Sequence, residues 1–136
     1  MMELNTISDI LKKNNVKPSI QRMKIYEYLI NKKTHPTVEE IYSVLSKELP
    51  TLSKTTVYNT LNAFIENGIT QMLTIDENET RYDADISDHG HFKCTNCGKV
   101  FDFRFEKLNY EAKQLDGYEI KECHVYFKGM CKKCRK

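Results

Sequence analysis

Two Cys-x-x-Cys pairs, Cys94/Cys97 and Cys131/Cys134, constrain the fold of this chain more than any other feature. Four thiolates at that spacing make a closed tetrahedral site for Zn2+, with no position left open for a substrate. The 33 residues between the pairs leave room for a strand, a helix and a strand, so the metal would tie the start of this segment to its end. A lobe this small buries little surface per residue, and a structural zinc is the kind of staple it needs. A redox-active pair is the alternative, although such a pair usually occurs once, at a helix N-terminus. The fifth cysteine, Cys123, lies in a stretch with strand character and reads as a half-buried spectator.

At 136 residues and 40% hydrophobic content the chain holds one domain or two small ones. No run approaches the roughly 20 apolar residues of a membrane span. The start, Met1-Met-Glu-Leu-Asn-Thr-Ile, lacks the basic-then-apolar order of a secretory leader, which points to the cytoplasm. The net charge of +2 conceals a strong pattern: residues 69–90 carry one Lys/Arg against six Asp/Glu, whereas residues 91–136 carry eleven against six. The acidic middle surrounds His89-Gly-His91 and would attract a divalent cation.

Hydrophobic spacing gives four helices in the first 68 residues. The first spans about Thr6–Asn14, the second follows a Ser19 cap, and the third follows Thr37 with Glu40 completing a capping box. The fourth opens at Ser53 and stops at Asn67-Gly68. Then the period changes: Ile69–Ile75 and Thr80–Asp83 flank the polar turn Asp76–Glu79, which makes a hairpin. Helices followed by a hairpin read as a winged helix over residues 1–83. Residues 84–90 form a polar hinge, and residues 91–136 read as strand (about His91–Lys93), strand (Val100–Phe103), helix (about Glu106–Leu115) and strand (Tyr118–Phe127), closed by zinc.

The fourth helix has an apolar face of Val57, Leu61, Phe64 and Ile65 and an opposite face of Thr55, Tyr58, Asn59 and Asn62. That second face is polar but almost uncharged, unlike a merely solvated one. Asn pairs bidentately with adenine, and Thr and Tyr can touch a thymine methyl. Thr56 sits in the same first turn, and Lys17, Arg22, Lys24 and Lys54 are placed to hold phosphates, which fixes register without selecting sequence.

Further ligand chemistry lies in His35, Asp83, His89, His91 and Asp102. Residues at i and i+2 on a strand point to one side, so His89 and His91 can clamp one ion. Imidazoles mixed with carboxylates suit Fe2+, Mn2+ or Zn2+, and oxygen-rich sets favour Fe2+ or Mn2+. His124 lies outside this context.

The motifs Val16-Lys-Pro-Ser-Ile-Gln-Arg22, His35-Pro-Thr37, Ser53-Lys-Thr-Thr-Val-Tyr-Asn-Thr-Leu61, Arg81-Tyr-Asp83, Asp88-His-Gly-His-Phe-Lys-Cys-Thr-Asn-Cys-Gly98 and Gly129-Met-Cys-Lys-Lys-Cys134 resemble the ferric uptake regulator (Fur) superfamily over nearly the whole chain. The branch most similar is that of the peroxide-stress (PerR-type) repressors. This resemblance implies an α+β protein: an N-terminal winged helix-turn-helix domain, then a small α/β dimerisation domain with a four-cysteine zinc site. It also implies a homodimer on a palindromic double-stranded DNA operator, with neither a membrane nor a small organic substrate as partner.

By the same resemblance, His35, Asp83, His89, His91 and Asp102 hold a regulatory Fe2+ or Mn2+. Peroxide then oxidises His35 or His89 when iron is bound. Asp102 stands where the iron-sensing branch more often carries Glu, and Gly90 where that branch tends to place Asp. A metal-availability sensor of the same superfamily, a small zinc enzyme and a structural zinc adaptor are the competing readings, with an enzyme disfavoured.

Overall fold

The computed structural model describes residues 3–32, 35–75, 79–86, 89–104, 113–120 and 123–135. The chain divides into two compact units, Met1–Ile86 and Ser87–Lys136. In the first, helices α1 (Leu4–Lys13), α2 (Ile20–Asn31), α3 (Val38–Leu45) and α4 (Lys54–Glu66) precede strands β1 (Gln71–Leu73) and β2 (Arg81–Asp83). The hydroxyls of Ser19, Thr37 and Ser53 accept the backbone N–H of Arg22, Glu40 and Thr56, so three helices begin where their caps place them. Gly68, at φ 74°, ends α4, and the bonds Ile69 N–H to Phe64 C=O and Gly68 N–H to Ile65 C=O close a Schellman motif. Asn15, at φ 64°, ends α1 in the same way.

Apolar faces of all four helices meet in one core, where Ile7, Leu11, Ile25, Ile41, Val57, Leu61 and Phe64 are 0% exposed. Tyr26 meets Phe64 edge-on at 5.5 Å. The antiparallel pair β1–β2 joins Gln71 to Asp83 and Leu73 to Arg81, and Tyr82, facing the other way, seals the core. These features form the winged helix. Both strands are shorter than the sequence suggests, and residues 76–78 of the expected turn lie outside the described set.

The second unit carries a sheet of order β4-β3-β5, built from β3 (Gly90–Cys94), β4 (Val100–Phe103) and β5 (Tyr126–Gly129). β4 runs antiparallel and β5 parallel to β3. The helix expected over Glu106–Leu115 falls mostly outside the described residues, and Lys113–Leu115 form a single 3-10 turn. The last strand starts at Tyr126 instead of Tyr118. β3 begins at Gly90, and among the described residues no strand pairs with those ahead of Tyr126. Cys123 lies outside β5 and is exposed, not half-buried. No helix among the described residues is long and apolar enough to cross a membrane.

Candidate metal centres

Parallel pairing of β3 and β5 sets Cys94 beside Gly129, so the two strands finish at the same end of the sheet. Each strand leads into one Cys-x-x-Cys turn, and the turns therefore open toward each other. Thr95 fastens them, its N–H and hydroxyl both donating to the Gly129 carbonyl at 2.7 and 3.1 Å. Ligand atoms of Cys94, Cys97, Cys131 and Cys134 all lie within 4.8 Å of one another. Cys97 Sγ and Cys131 Sγ are 3.9 Å apart. Zn–S bonds of about 2.3 Å at tetrahedral angles separate sulfurs by about 3.8 Å, so the cluster has the dimensions of a zinc site.

Its electrostatics agree. The backbone N–H groups of Cys97 and Cys131 both donate to Cys94 Sγ at 3.4 Å and draw that thiol down to about 6. At Cys134 the Asn96 side chain pulls downward, but the neighbouring sulfurs, Cys131 first, and burial outweigh it and push the thiol up to about 11. Crowded thiols resist joint ionisation, and a dication at their centre removes that conflict.

Strand alternation separates the rest of the sheet into two chemistries. His91 pairs with Asp102 on β4 and with Tyr126 on β5, all on one face. Gly90, Phe92, Phe101, Phe103 and Phe127 share the other. On the polar face His91 Nε2 is 3.4 Å and His89 Nε2 3.8 Å from the same oxygen, Asp102 Oδ1. The two imidazoles lie 4.5 Å apart between ring centroids, and both are buried. These separations exceed a charge-assisted hydrogen bond, which is about 2.7–2.9 Å. Atoms each about 2.1 Å from a shared ion at octahedral to tetrahedral angles stand about 3.0–3.4 Å apart; the His91–Asp102 spacing meets that limit, and the 3.8 Å to His89 is wider.

Gly90, between the two histidines, is required by the opposite face. A Cβ there would run into the Phe103 ring, which stacks on Phe127 at 5.2 Å with 5° between planes. Gly90→Ala should force that stack apart and destabilise the protein by about 1–3 kcal/mol, as overpacking does. A lowered thermal midpoint checks this; an unchanged midpoint would show that Phe103 yields freely.

In the first unit, β2 and the segment before α3 bring His35 and Asp83 together. His35 Nε2 is 3.6 Å from Asp83 Oδ2. The other carboxylate oxygen, Oδ1, accepts the Asp85 N–H at 2.9 Å, and Gln71 Nε2 donates to the Asp85 carbonyl at 2.6 Å. One oxygen is thus held by the main chain while its twin faces the imidazole. His35 is 2% and Asp83 9% exposed.

The polar face of α4 stands outward at Thr55, Tyr58 and Asn59, while Thr56 and Asn62 are half-buried. Tyr58 is 52% exposed, which leaves its ring open to contact from outside. Lys54 is engaged within the protein, 2.8 Å from Glu39 and over the Tyr42 ring at 5.6 Å. Lys24 pairs with Glu48 at 2.9 Å. The Arg22 guanidinium donates to the Lys17 carbonyl at 3.0 Å, so these two residues form one basic corner. Glu39 and Glu48 lie far along the chain from the lysines they meet, whereas Glu27, 3.7 Å from Lys24, is its i+3 neighbour on α2.

Residues 13–128 match the model of the ferric uptake regulator family. The chain is 38% identical over 138 residues to the peroxide operon regulator of Bacillus subtilis, covering 98% of this chain and 94% of that protein. Among solved structures it is similar to PerR from Streptococcus pyogenes, a structure described as a basis for peroxide sensing and gene regulation. That match has a TM-score of 0.56 and 26% identity, over 99% of this chain and 95% of that one. The Helicobacter pylori ferric uptake regulator shares the fold with a TM-score of 0.74 at 23% identity, over 99% and 95% of the two chains.

Proposed function

The chain belongs to the ferric uptake regulator family, and we propose that it is a metal-dependent, DNA-binding transcriptional repressor that senses hydrogen peroxide through oxidation of a histidine ligand. It would act as a homodimer, each copy presenting α4 to one half of a palindromic operator. Zinc in the Cys94/Cys97/Cys131/Cys134 cluster holds the second unit together. The regulatory ion, Fe2+ or Mn2+, would take His35 and Asp83 from the winged helix and His89, His91 and Asp102 from the second unit. The observation that carries this reading is the pair of half-sets, each joining imidazole to carboxylate at 3.4–3.8 Å, one of them in the unit that bears α4.

Five ligands drawn from two units make domain orientation depend on metal. Moving such a switch from 1:99 to 99:1 takes about 5.5 kcal/mol of differential binding. When bound, ferrous iron would supply catalysis of O–O cleavage: in balance, one hydrogen peroxide gives one oxygen to an imidazole carbon and leaves as water, with no net electron drawn from the ion. By resemblance to the peroxide-stress branch, His35 or His89 would take up the oxygen. An oxidised imidazole would be a poorer donor, so its half-set would release the ion and α4 would lose its metal-dependent grip on DNA. No turnover is involved: the protein consumes its own ligand once.

The test uses full-length zinc-loaded protein and a palindromic duplex selected from random DNA by the Mn2+-loaded form. Peroxide should abolish duplex binding by the Fe2+-loaded protein and add one oxygen to the peptide bearing His35 or His89. The Mn2+-loaded protein should keep both its DNA affinity and its unmodified peptides. Lost DNA binding with intact histidine peptides would overturn peroxide sensing at this site and move attention to the thiolates. Indifference to peroxide in both forms would make the protein a sensor of metal availability.

A further inference from the structure

We propose that Arg81 is a positioning residue for the imidazole of His35, acting through the main chain. The inference rests on His35 being a regulatory-metal ligand. His35 has φ 57°, the left-handed region, uncommon outside glycine although His enters it more readily than most residues. With the residues after it fixed, a turn about its Cα–C bond (ψ) is what would swing the imidazole away from Asp83, so the plane of its carbonyl has to be held. Strand alternation on β2 provides the holder: Arg81 and Asp83, at i and i+2, leave the strand on one side while Tyr82 enters the core. Asp83 addresses the side chain of His35 at 3.6 Å, and Arg81 Nη1 donates to its carbonyl at 3.2 Å.

The next residues are fixed separately. Tyr82 N–H donates to the Pro36 carbonyl at 3.0 Å, and the Thr37 hydroxyl accepts the Glu40 N–H at 3.2 Å. Pro36 also fixes its own φ through its ring. The Arg81 bond adds an anchor at the His35 carbonyl, just ahead of these fixed residues. The Arg81 side chain is only 13% exposed, so burial limits the guanidinium, and its second nitrogen is a loose 3.8 Å from the exposed Glu79. A planar fork with several donors suits this double engagement better than an ammonium.

Partners of this kind typically change metal affinity 10–100-fold when removed. The experiment measures Mn2+ affinity by the loss of its free-ion paramagnetic resonance signal, in full-length zinc-loaded protein, together with the thermal midpoint. Arg81→Met should weaken Mn2+ binding by about tenfold, Arg81→Lys should recover part of the loss, and Glu79→Gln should behave as wild type. After iron loading and peroxide, Arg81→Met should also lower the share of added oxygen on the His35 peptide relative to the His89 peptide. Wild-type Mn2+ affinity in Arg81→Met would overturn the proposal. So would a loss matched by a lower thermal midpoint and not recovered by Arg81→Lys, since that marks a role in hairpin stability alone. His35→Ala separates the two levels. If it binds Mn2+ as wild type does, the assignment of His35 as a ligand fails; if it weakens binding while Arg81→Met does not, only the role of Arg81 fails.

Discussion

Replacing Cys131 with serine should unfold the second unit while the helical unit keeps its own melting transition. In residues 87–136 the buried hydrophobic side chains among those described are Cys94 and Cys131, both sulfur ligands. The first unit, by contrast, has a core running from Ile7 to Tyr82. Structural zinc contributes about 10–16 kcal/mol in peptide systems, and whole domains are stable by only about 5–15 kcal/mol. Losing one of four thiolates therefore removes more stabilisation than a small sheet can replace. Serine is nearly the size of cysteine, so the effect would come from coordination and not from packing. Zinc content, near-ultraviolet circular dichroism and limited proteolysis read the result. Expected are substoichiometric zinc and cleavage confined to residues 87–136. Full resistance to protease without zinc would show that the sheet stands on its own contacts.

The second large effect concerns the regulatory ion. His91→Ala should cut the Mn2+-dependent gain in operator affinity by about 100-fold or more, equivalent to about 2.7 kcal/mol. His91 is 2% exposed, lies on the central strand and faces Asp102 across the ladder, so neither it nor its neighbours can be replaced by a shift of the chain. Removing it leaves His89 and Asp102 as the ligands of that unit. Because coupling between two binding events is reciprocal, the variant should also lose the increase in Mn2+ affinity that DNA confers on the wild type. Zinc content should stay unchanged, since the four-cysteine cluster uses none of these atoms. Fluorescence anisotropy on the selected duplex, with and without Mn2+, measures both halves of the cycle. A variant that remains fully Mn2+-responsive would remove His91 from the ligand set.

Much of this was legible in residue order because the signals are local. Ser19, Thr37, Ser53 and Asn67-Gly68 mark helix ends through bonds to atoms a few residues away, and the helices start and stop there. The Cys-x-x-Cys spacing likewise specified its own cluster. What the sequence hid depends on neighbours far along the chain. β5 sets in where Tyr126 pairs with His91 on β3, and the need for Gly90 is decided by Phe103 on the adjacent strand. The left-handed backbone of His35 is not written in His35-Pro-Thr37, and its holder, Arg81, lies 46 residues away. Cys123 looked like a strand residue because Tyr118–Phe127 is rich in β-formers, but β5 among the described residues starts only at Tyr126, and propensity alone does not set where pairing begins.

The most direct test is the operator affinity of one preparation, zinc-loaded throughout, with the regulatory site first emptied by chelation and then filled with Mn2+ at fixed salt. The Mn2+-loaded protein should bind the selected palindrome about 100-fold more tightly or better, a coupling of about 2.7 kcal/mol. Equal affinity in the two states would mean that no ion links the ligand residues to α4, and the proposed switch would have to be abandoned.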